Sequence, residues 1–215
     1  MNLIFNKSNT FCISLYSKPD RWEKMEKRFQ KIGLDVTRFK AVADVKELTV
    51  PFANYLSLTQ KFCSQSHINL WNYIVNCKLS YALILEDDAC FDIKWREKLS
   101  KLEFNSNLDA IFLNASEPLN KIDTWQLANE QYLTAGYILT YKGAKILLDT
   151  FTNCFYASDW MTSRLQENKN SYTYFPWLII QEGNESTINS NVIEDHEKVV
   201  KCLNAISYSL SNYII

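Results

Sequence analysis

The sequence predicts an α/β fold with a Rossmann-like, mostly parallel sheet flanked by helices, and three observations carry that prediction. Residues 82–85, Ala-Leu-Ile-Leu, form a short, purely apolar run of the kind found in a strand buried on both faces. The run ends in three acids, Glu86-Asp87-Asp88. Upstream, residues 11–42 read as strand, amphipathic helix and strand, a βαβ unit. Downstream, residues 108–113 and 134–141 read as further strands, the second leading straight into a helical pattern.

Taken in order, residues 11–16 form the first strand. Ser17 and Pro19 open a helix as a serine cap and a proline in the entering turn. Trp22, Met25, Phe29 and Ile32 recur at helical spacing, and Gly33 stops the helix. A second strand occupies 37–42 and a loop 50–57. Residues 58–77 turn helical, with Phe62, Leu70, Trp71, Ile74 and Val75 as the apolar stripe. The strand over 81–88 follows, then a helix over 95–102 and the strand over 108–113. Residues 115–131 are polar and read as a connecting loop able to line an acceptor cleft. In the strand over 134–141, Gly136 signals close approach of backbone or ligand, or a bulge. Helices are expected over 142–151 and 160–166. A strand over 172–180, broken by Pro176, belongs at a sheet edge. Residues 181–190 are polar and expected to be mobile. Residues 191–215 are expected to form a helical extension packing on a domain made by residues 1–190.

Composition narrows the function classes. A chain of 215 residues with 47% hydrophobic and 14% aromatic content can bury a substantial core. Its net charge is -1, with 23 basic and 24 acidic residues well mixed, so no basic stripe points to nucleic acid. No apolar run approaches the roughly 18 residues of a membrane span, and no signal segment opens the chain. These features predict a soluble, cytoplasmic protein, with peripheral contact as the nearest approach to a bilayer. Six cysteines without a Cys-x-x-Cys pair predict free thiols, and two histidines argue against a zinc site.

The acids are the main candidates for chemistry. In open α/β sheets ligands bind at the carboxyl ends of strands, where this triplet lies. Strand alternation would put Glu86 and Asp88 on one side and Asp87 on the other. Carboxylates that converge in a low dielectric take up a proton or a cation, and an all-oxygen set suits Mg²⁺ or Mn²⁺ with phosphate oxygens completing the shell. The plainer reading has Asp87 or Asp88 capping a helix through Trp95 and Leu99. Arg21, at the same sheet edge, either pairs with a phosphate or sits on a helix surface. His67 is either a hydrogen-bonded structural histidine or faces the ligand. Asp159 either caps the helix it precedes or serves as a general base. His196, among Glu194, Asp195 and Glu197, either belongs to a solvated helix start or reaches back to complete a metal shell.

The motifs resemble glycosyltransferase family 25, which includes bacterial lipooligosaccharide galactosyltransferases and collagen galactosyltransferases. The resemblance rests on Ile13-Ser-Leu-Tyr-Ser-Lys-Pro-Asp-Arg21, Phe39-Lys-Ala-Val42, Cys63-Ser-Gln-Ser-His67 followed by Leu70-Trp71, and Ala82-Leu-Ile-Leu-Glu-Asp-Asp88. It continues through Ala135-Gly136-Tyr137 to Lys142-Gly143-Ala144, then Ser158-Asp159, and Gln181 with Ser186 and Thr187. It covers residues 11–188. Phe62 departs from it, standing where a glycine is expected before Cys63.

The resemblance implies a GT-A-type nucleotide-diphospho-sugar transferase fold, a UDP-hexose donor, a saccharide or glycoconjugate acceptor, and Mn²⁺ or Mg²⁺ as cofactor. On that basis Asp88 holds the cation, with Glu86 and His196 as further candidate ligands. Glu86 or Asp87 orients the ribose. Arg21, Ser14, Leu15, Tyr16 and His67 would contact the nucleotide. Asp159 would take the acceptor proton, giving inversion; front-side transfer with retention is the alternative if no carboxylate reaches the acceptor. Two other classes fit the same residues: a metal-dependent phosphohydrolase or nucleotidyltransferase, and a non-catalytic carbohydrate-binding domain.

Overall fold

The computed structural model describes residues 3–105, 107–114, 117–183 and 192–215, with the backbone alone for 192–195. Strand β1 (Thr10–Ser14) leads into helix α1 (Pro19–Ile32) and returns as β2 (Thr37–Lys40), parallel to β1, which completes the βαβ unit. Pro19 opens α1, but the residue before it is Lys18 and no side chain closes the cap, so Ser17 is not the cap. Gly33 ends the helix at φ 59°, a left-handed conformation that glycine adopts without a Cβ clash.

Helix α2 (Leu58–Asn76) starts from a capping box between Ser57 and Gln60 and runs unbroken through Phe62. Its middle is buried all round, and Ser64, Gln65, Ser66 and His67 are as enclosed as Leu70 and Trp71. Two of these polar groups fasten the loop after β2: Ser66 Oγ accepts the Val42 N–H at 2.8 Å, and Gln65 Oε1 accepts that of Thr49 at 2.8 Å. Strand β3 (Tyr81–Glu86) follows, with Ala82 to Leu85 wholly enclosed. Next come β4 (Ala89–Asp92), α3 (Trp95–Ser100), β5 (Ala110–Phe112), β6 (Thr124–Leu127) and β7 (Gly136–Thr140). The chain closes with α4 (Tyr141–Thr150), α5 (Ser158–Ser163), β8 (Ser171–Phe175), β9 (Ile179–Gln181), α6 (Val192–Ala205) and β10 (Tyr213–Ile214).

Seven strands form one sheet in the order β2-β1-β3-β7-β5-β8-β6. It is mixed, not mostly parallel as the sequence suggested. The pairs β1–β2, β1–β3 and β5–β8 are parallel, while β3–β7, β5–β7 and β6–β8 are antiparallel. The reversal of β7 matters for function, because it brings the start of that strand to the edge where β1 and β3 end. Two further expectations are corrected. The stretch 115–131 contains β6, and β8 lies inside the sheet between β5 and β6. Pro176 follows the last residue of β8, so its missing N–H removes no ladder bond.

A smaller antiparallel sheet, β10-β4-β9, backs the site. The C-terminal stretch is therefore more than a helical extension: β10 pairs with β4, and Val199, Leu203 and Tyr213 bury with Trp177 and Ile180. Ser186 and Thr187, part of the polar stretch expected to be mobile, lie outside the described residues. Across the large sheet, Ala82 and Ile84 pack toward Trp71 and Leu147, while Leu83 and Leu85 pack toward Met25, Phe29 and Trp95. This is the period of two expected of a strand covered on both sides. Among the described residues no helix is long and apolar enough to cross a membrane, and all six cysteines are free.

Two glycines mark close approaches. A Cβ on Gly136 would run into the Ile179 side chain, so what comes close there is a side chain from β9. A Cβ on Gly143 would meet the Asp109 carbonyl oxygen and lie 2.9 Å from Leu139 Cδ1. Backbone cannot yield as a side chain can, so Gly143→Ala should cost about 1–3 kcal/mol in chemical denaturation, with no loss in the denaturant slope.

Candidate functional site

The carboxyl ends of β1 and β3 and the residues preceding β7 converge on a cavity of about 370 Å³. One wall is the β1–α1 connection, with Ser14, Leu15 and Ser17, and Arg21 from the first turn of α1. The opposite wall is the first half of α2, through Cys63, Ser64 and His67, together with Ser158 and Asp159 at the start of α5. Glu86, Asp87, Asp88 and Thr134 form the floor. Arg38 of β2 shapes the first wall. Its Nη2 donates to the Leu15 carbonyl at 2.8 Å and to Ser14 Oγ at 3.3 Å, and its guanidinium lies over the rings of Tyr16 and Trp22.

The three acids are met in three different ways. Glu86 is the last residue of β3, and Oε1 accepts hydrogen bonds from Thr134 Oγ1 at 2.6 Å and from His67 Nε2 at 3.2 Å. Burial pushes its pKa up, but its hydrogen-bonding and charge interactions with His67, then the Thr134 bond and the Arg21 charge, outweigh burial and hold it below the ordinary range. Asp87 and Asp88 lie in the turn after the strand, where alternation no longer sorts side chains. Asp87 accepts from Arg21, with Nε at 2.9 Å, and Asp88 Oδ2 is 3.9 Å from the same guanidinium. Burial lowers the Arg21 pKa, yet the aspartates more than reverse that. Neither aspartate caps α3: the Lys94 N–H at its start is held by Asp92.

Asp88 is the least compensated. Its Oδ1 is buried without a hydrogen-bond partner, as is Ser64 Oγ on the opposite wall. Burial first, then the charges of Glu86 and Asp87, push the Asp88 carboxyl up to about 7, against the pull of Arg21 and Arg28. The turn is pinned from behind: the Glu182 N–H donates to the Asp88 carbonyl at 3.0 Å, and the Glu182 carboxylate pairs with Lys24 and Arg28.

Asp159 sits in the first turn of α5, half-buried, its Oδ1 accepting the Trp160 N–H at 2.7 Å. Burial and the Glu86 charge raise its pKa against that hydrogen bond. A carboxylate raised this way and lining a cavity has the properties of a base. Two predicted site residues stand apart from the cavity wall. Tyr16 is exposed and stacks under Arg38. His196 of α6 directs Nδ1 at the Gln181 carbonyl, 3.1 Å away, and its ring presses on Gly183. It touches the site only through Gln181, which lines the cavity.

The donor sets separate two kinds of cation. An oxygen with no hydrogen-bond partner, on a carboxyl raised by burial and then by its acidic neighbours, fits a hard divalent ion. Cys63, His67 and Glu86 offer ligand atoms within 4.8 Å of one another, a sulfur-containing set of the zinc type. In that set Glu86 Oε1 and both nitrogens of His67 are already engaged in hydrogen bonds, which an ion there would have to displace. Thr134 and Ser158 had no separate signal in the sequence as site residues, because a hydroxyl in a strand or helix start is common. Tyr137 and Trp71 were visible only as apolar or motif positions.

Comparisons with known proteins place the chain among glycosyltransferase sequences. A glycosyltransferase 25 family member of Drosophila melanogaster is 31% identical over 166 residues, which is 64% of this chain and 27% of that protein. A procollagen galactosyltransferase of Xenopus laevis is 25% identical over 168 residues, 65% of this chain and 28% of that one. The chain thus spans about a quarter of the length of these animal relatives. A lipooligosaccharide biosynthesis protein of Haemophilus influenzae is 27% identical over 207 residues, 80% of this chain and 76% of that protein. Among solved structures, the apo-form glycosyltransferase GlyE of Streptococcus pneumoniae overlays with a TM-score of 0.47 at 10% identity, covering 94% of this chain and 63% of that one, a likeness too loose to carry argument. The sequence profile of glycosyltransferase family 25 (LPS biosynthesis protein) matches residues 7–122, more than half of the 215 residues, and the chain belongs to that family.

Proposed function

We propose that the chain is a GT-A-type, metal-dependent glycosyltransferase that moves a hexose from a UDP-sugar to a hydroxyl of a saccharide acceptor. The observation that carries this reading is the buried Asp88 oxygen left without a hydrogen-bond partner in the turn after β3, on a residue that lines the same cavity as Arg21 and Asp159. Similarity to a procollagen galactosyltransferase and to a lipooligosaccharide biosynthesis protein supports galactose as the hexose and a glycan or glycoconjugate as the acceptor.

Asp88 would hold Mn²⁺ or Mg²⁺. Bound there, the ion would neutralise the diphosphate that leaves with the nucleotide. Ser14, Leu15 and Ser17 form the wall against which the nucleotide would lie, and Arg38 keeps that connection in shape. Arg21, already paired with Asp87, places a cation where phosphate oxygens would gather. Glu86, held ionised, is suited to accept from a hydroxyl of the ribose or of the sugar. Asp159 takes the proton of the acceptor hydroxyl as its oxygen attacks the anomeric carbon, so the configuration there inverts.

Calorimetric titration of UDP with and without Mn²⁺ tests the donor and the metal together. Binding should require the ion and should be lost in Asp88→Ala. Absence of UDP binding under both conditions would overturn the UDP assignment, and release of phosphate from UDP without any acceptor would favour a phosphohydrolase. Once a donor and acceptor turn over, Asp159→Asn should lower kcat by about 10²-fold or more while leaving the donor KM within a few-fold.

Asp88 also links the site to stability. The folded chain holds a proton on a carboxyl pushed up to about 7, whereas an unfolded aspartate releases its proton near pH 4. Between those values stability falls as pH rises, and above about pH 7 the whole penalty is present. In cation-free buffer Asp88→Asn should therefore unfold at higher temperature than the wild type at about pH 8, by an amount on the order of 1–3 kcal/mol, with the gap closing toward pH 4. An unchanged or lower melting temperature at the higher pH would contradict this account of Asp88.

A further inference from the structure

Behind Glu86 runs a buried chain of hydrogen bonds whose direction is set by donor chemistry. The indole Nε1–H of Trp71 can only donate, and it reaches Tyr137 Oη at 2.9 Å. Tyr137 Oη lies 2.9 Å from His67 Nδ1, and His67 Nε2 lies 3.2 Å from Glu86 Oε1. The phenol proton has no acceptor among the described residues other than Nδ1, so it goes there, and Nδ1 must present a lone pair. The ring proton then sits on Nε2, aimed at the carboxylate. A proton on both ring nitrogens would leave the phenol proton, in a side chain that is 1% exposed, without an acceptor among the described residues. Thr134 donates to the same Glu86 oxygen, so Oε1 has two donors, and Oε2 is the oxygen left for whatever enters the cavity.

We propose that Tyr137 is a positioning residue: backed by Trp71, it fixes the tautomer of His67, and through it holds Glu86 with one oxygen engaged and the other offered to a ligand hydroxyl. The last step rests on the transferase reading above. The tautomer does not, so the two can fail separately.

The two histidines make the inference measurable in the intact chain. His196 points Nδ1 at a carbonyl, which can only accept, so a neutral His196 carries its proton on Nδ1. His67 carries its proton on Nε2. Nitrogen-15 imidazole spectra at mildly alkaline pH should therefore show two rings of opposite tautomer, and His67→Gln should remove the one protonated on Nε2. In Tyr137→Phe the His67 ring should lose its single tautomer, and Mn²⁺-dependent UDP binding should weaken about tenfold. A glutamine at position 67 keeps an N–H near the former Nε2 but cannot reach Tyr137. Adding Tyr137→Phe to His67→Gln should then cost no further affinity. Proton density on Nδ1 or on both nitrogens of His67 in the wild type would overturn the inference even if Tyr137→Phe fails to fold. So would an unchanged tautomer in Tyr137→Phe, or losses that add in the double variant. If the wild type binds no UDP, the transferase reading fails, while the ring spectra still decide the relay.

Discussion

Ending a strand that is covered on both faces with three consecutive carboxylates costs several kcal/mol per charge unless each is met by hydrogen bonds or an opposite charge. Much of the surrounding structure can be read as how those charges are met. Glu86 needs donors from above the sheet, which requires the middle of α2 to carry a histidine where a core helix would place a hydrophobe. It also needs Thr134, which reaches Glu86 only because β7 runs against its neighbours and begins at this edge. Asp87 needs a cation, supplied by the first turn of α1. Asp88 keeps one oxygen without a partner.

This division separates compensated from uncompensated charge within three residues. Glu86 and Asp87 are compensated inside the fold and help to rigidify it. Asp88 is tolerated at a cost, in keeping with a group whose partner arrives with the ligand. The turn cannot relax that cost by moving, since Glu182 ties its backbone to β9 and is itself bound to Lys24 and Arg28 of α1. A site built this way is preorganised: its charged groups sit on strand ends and first helical turns that the core holds in place.

The sequence announced the centre of this arrangement more clearly than its periphery. Ala82 to Leu85 could be read as a doubly buried strand because four apolar residues in a row admit few other environments, and the acids at its end then had a definite address. Pro19 and Gly33 marked the ends of α1 through backbone chemistry that does not depend on tertiary contacts. The direction of β7 was not legible, because a strand of pattern Gly-Tyr-Ile-Leu-Thr pairs equally well either way and its partners lie far off in the sequence. Nor was β6, whose alternation Thr-Trp-Gln-Leu is only four residues long and sits in a polar stretch with none of the four buried. Strand alternation was carried two residues too far at Asp87 and Asp88, since β3 ends at Glu86. His67 was placed near the site by chain length alone, but its partner Tyr137 comes from a segment seventy residues away that no local pattern connects to it.

In the proposed reading a hard cation binds the partnerless oxygen of Asp88 and not the sulfur-containing cluster beside it. Crystals grown with Mn²⁺ and UDP, measured near the manganese absorption edge, locate the ion directly by its anomalous scattering. The account predicts a single peak within bonding distance of Asp88, with His67 still hydrogen-bonded to Glu86. A peak among Cys63, His67 and Glu86, or beside His196, would contradict it.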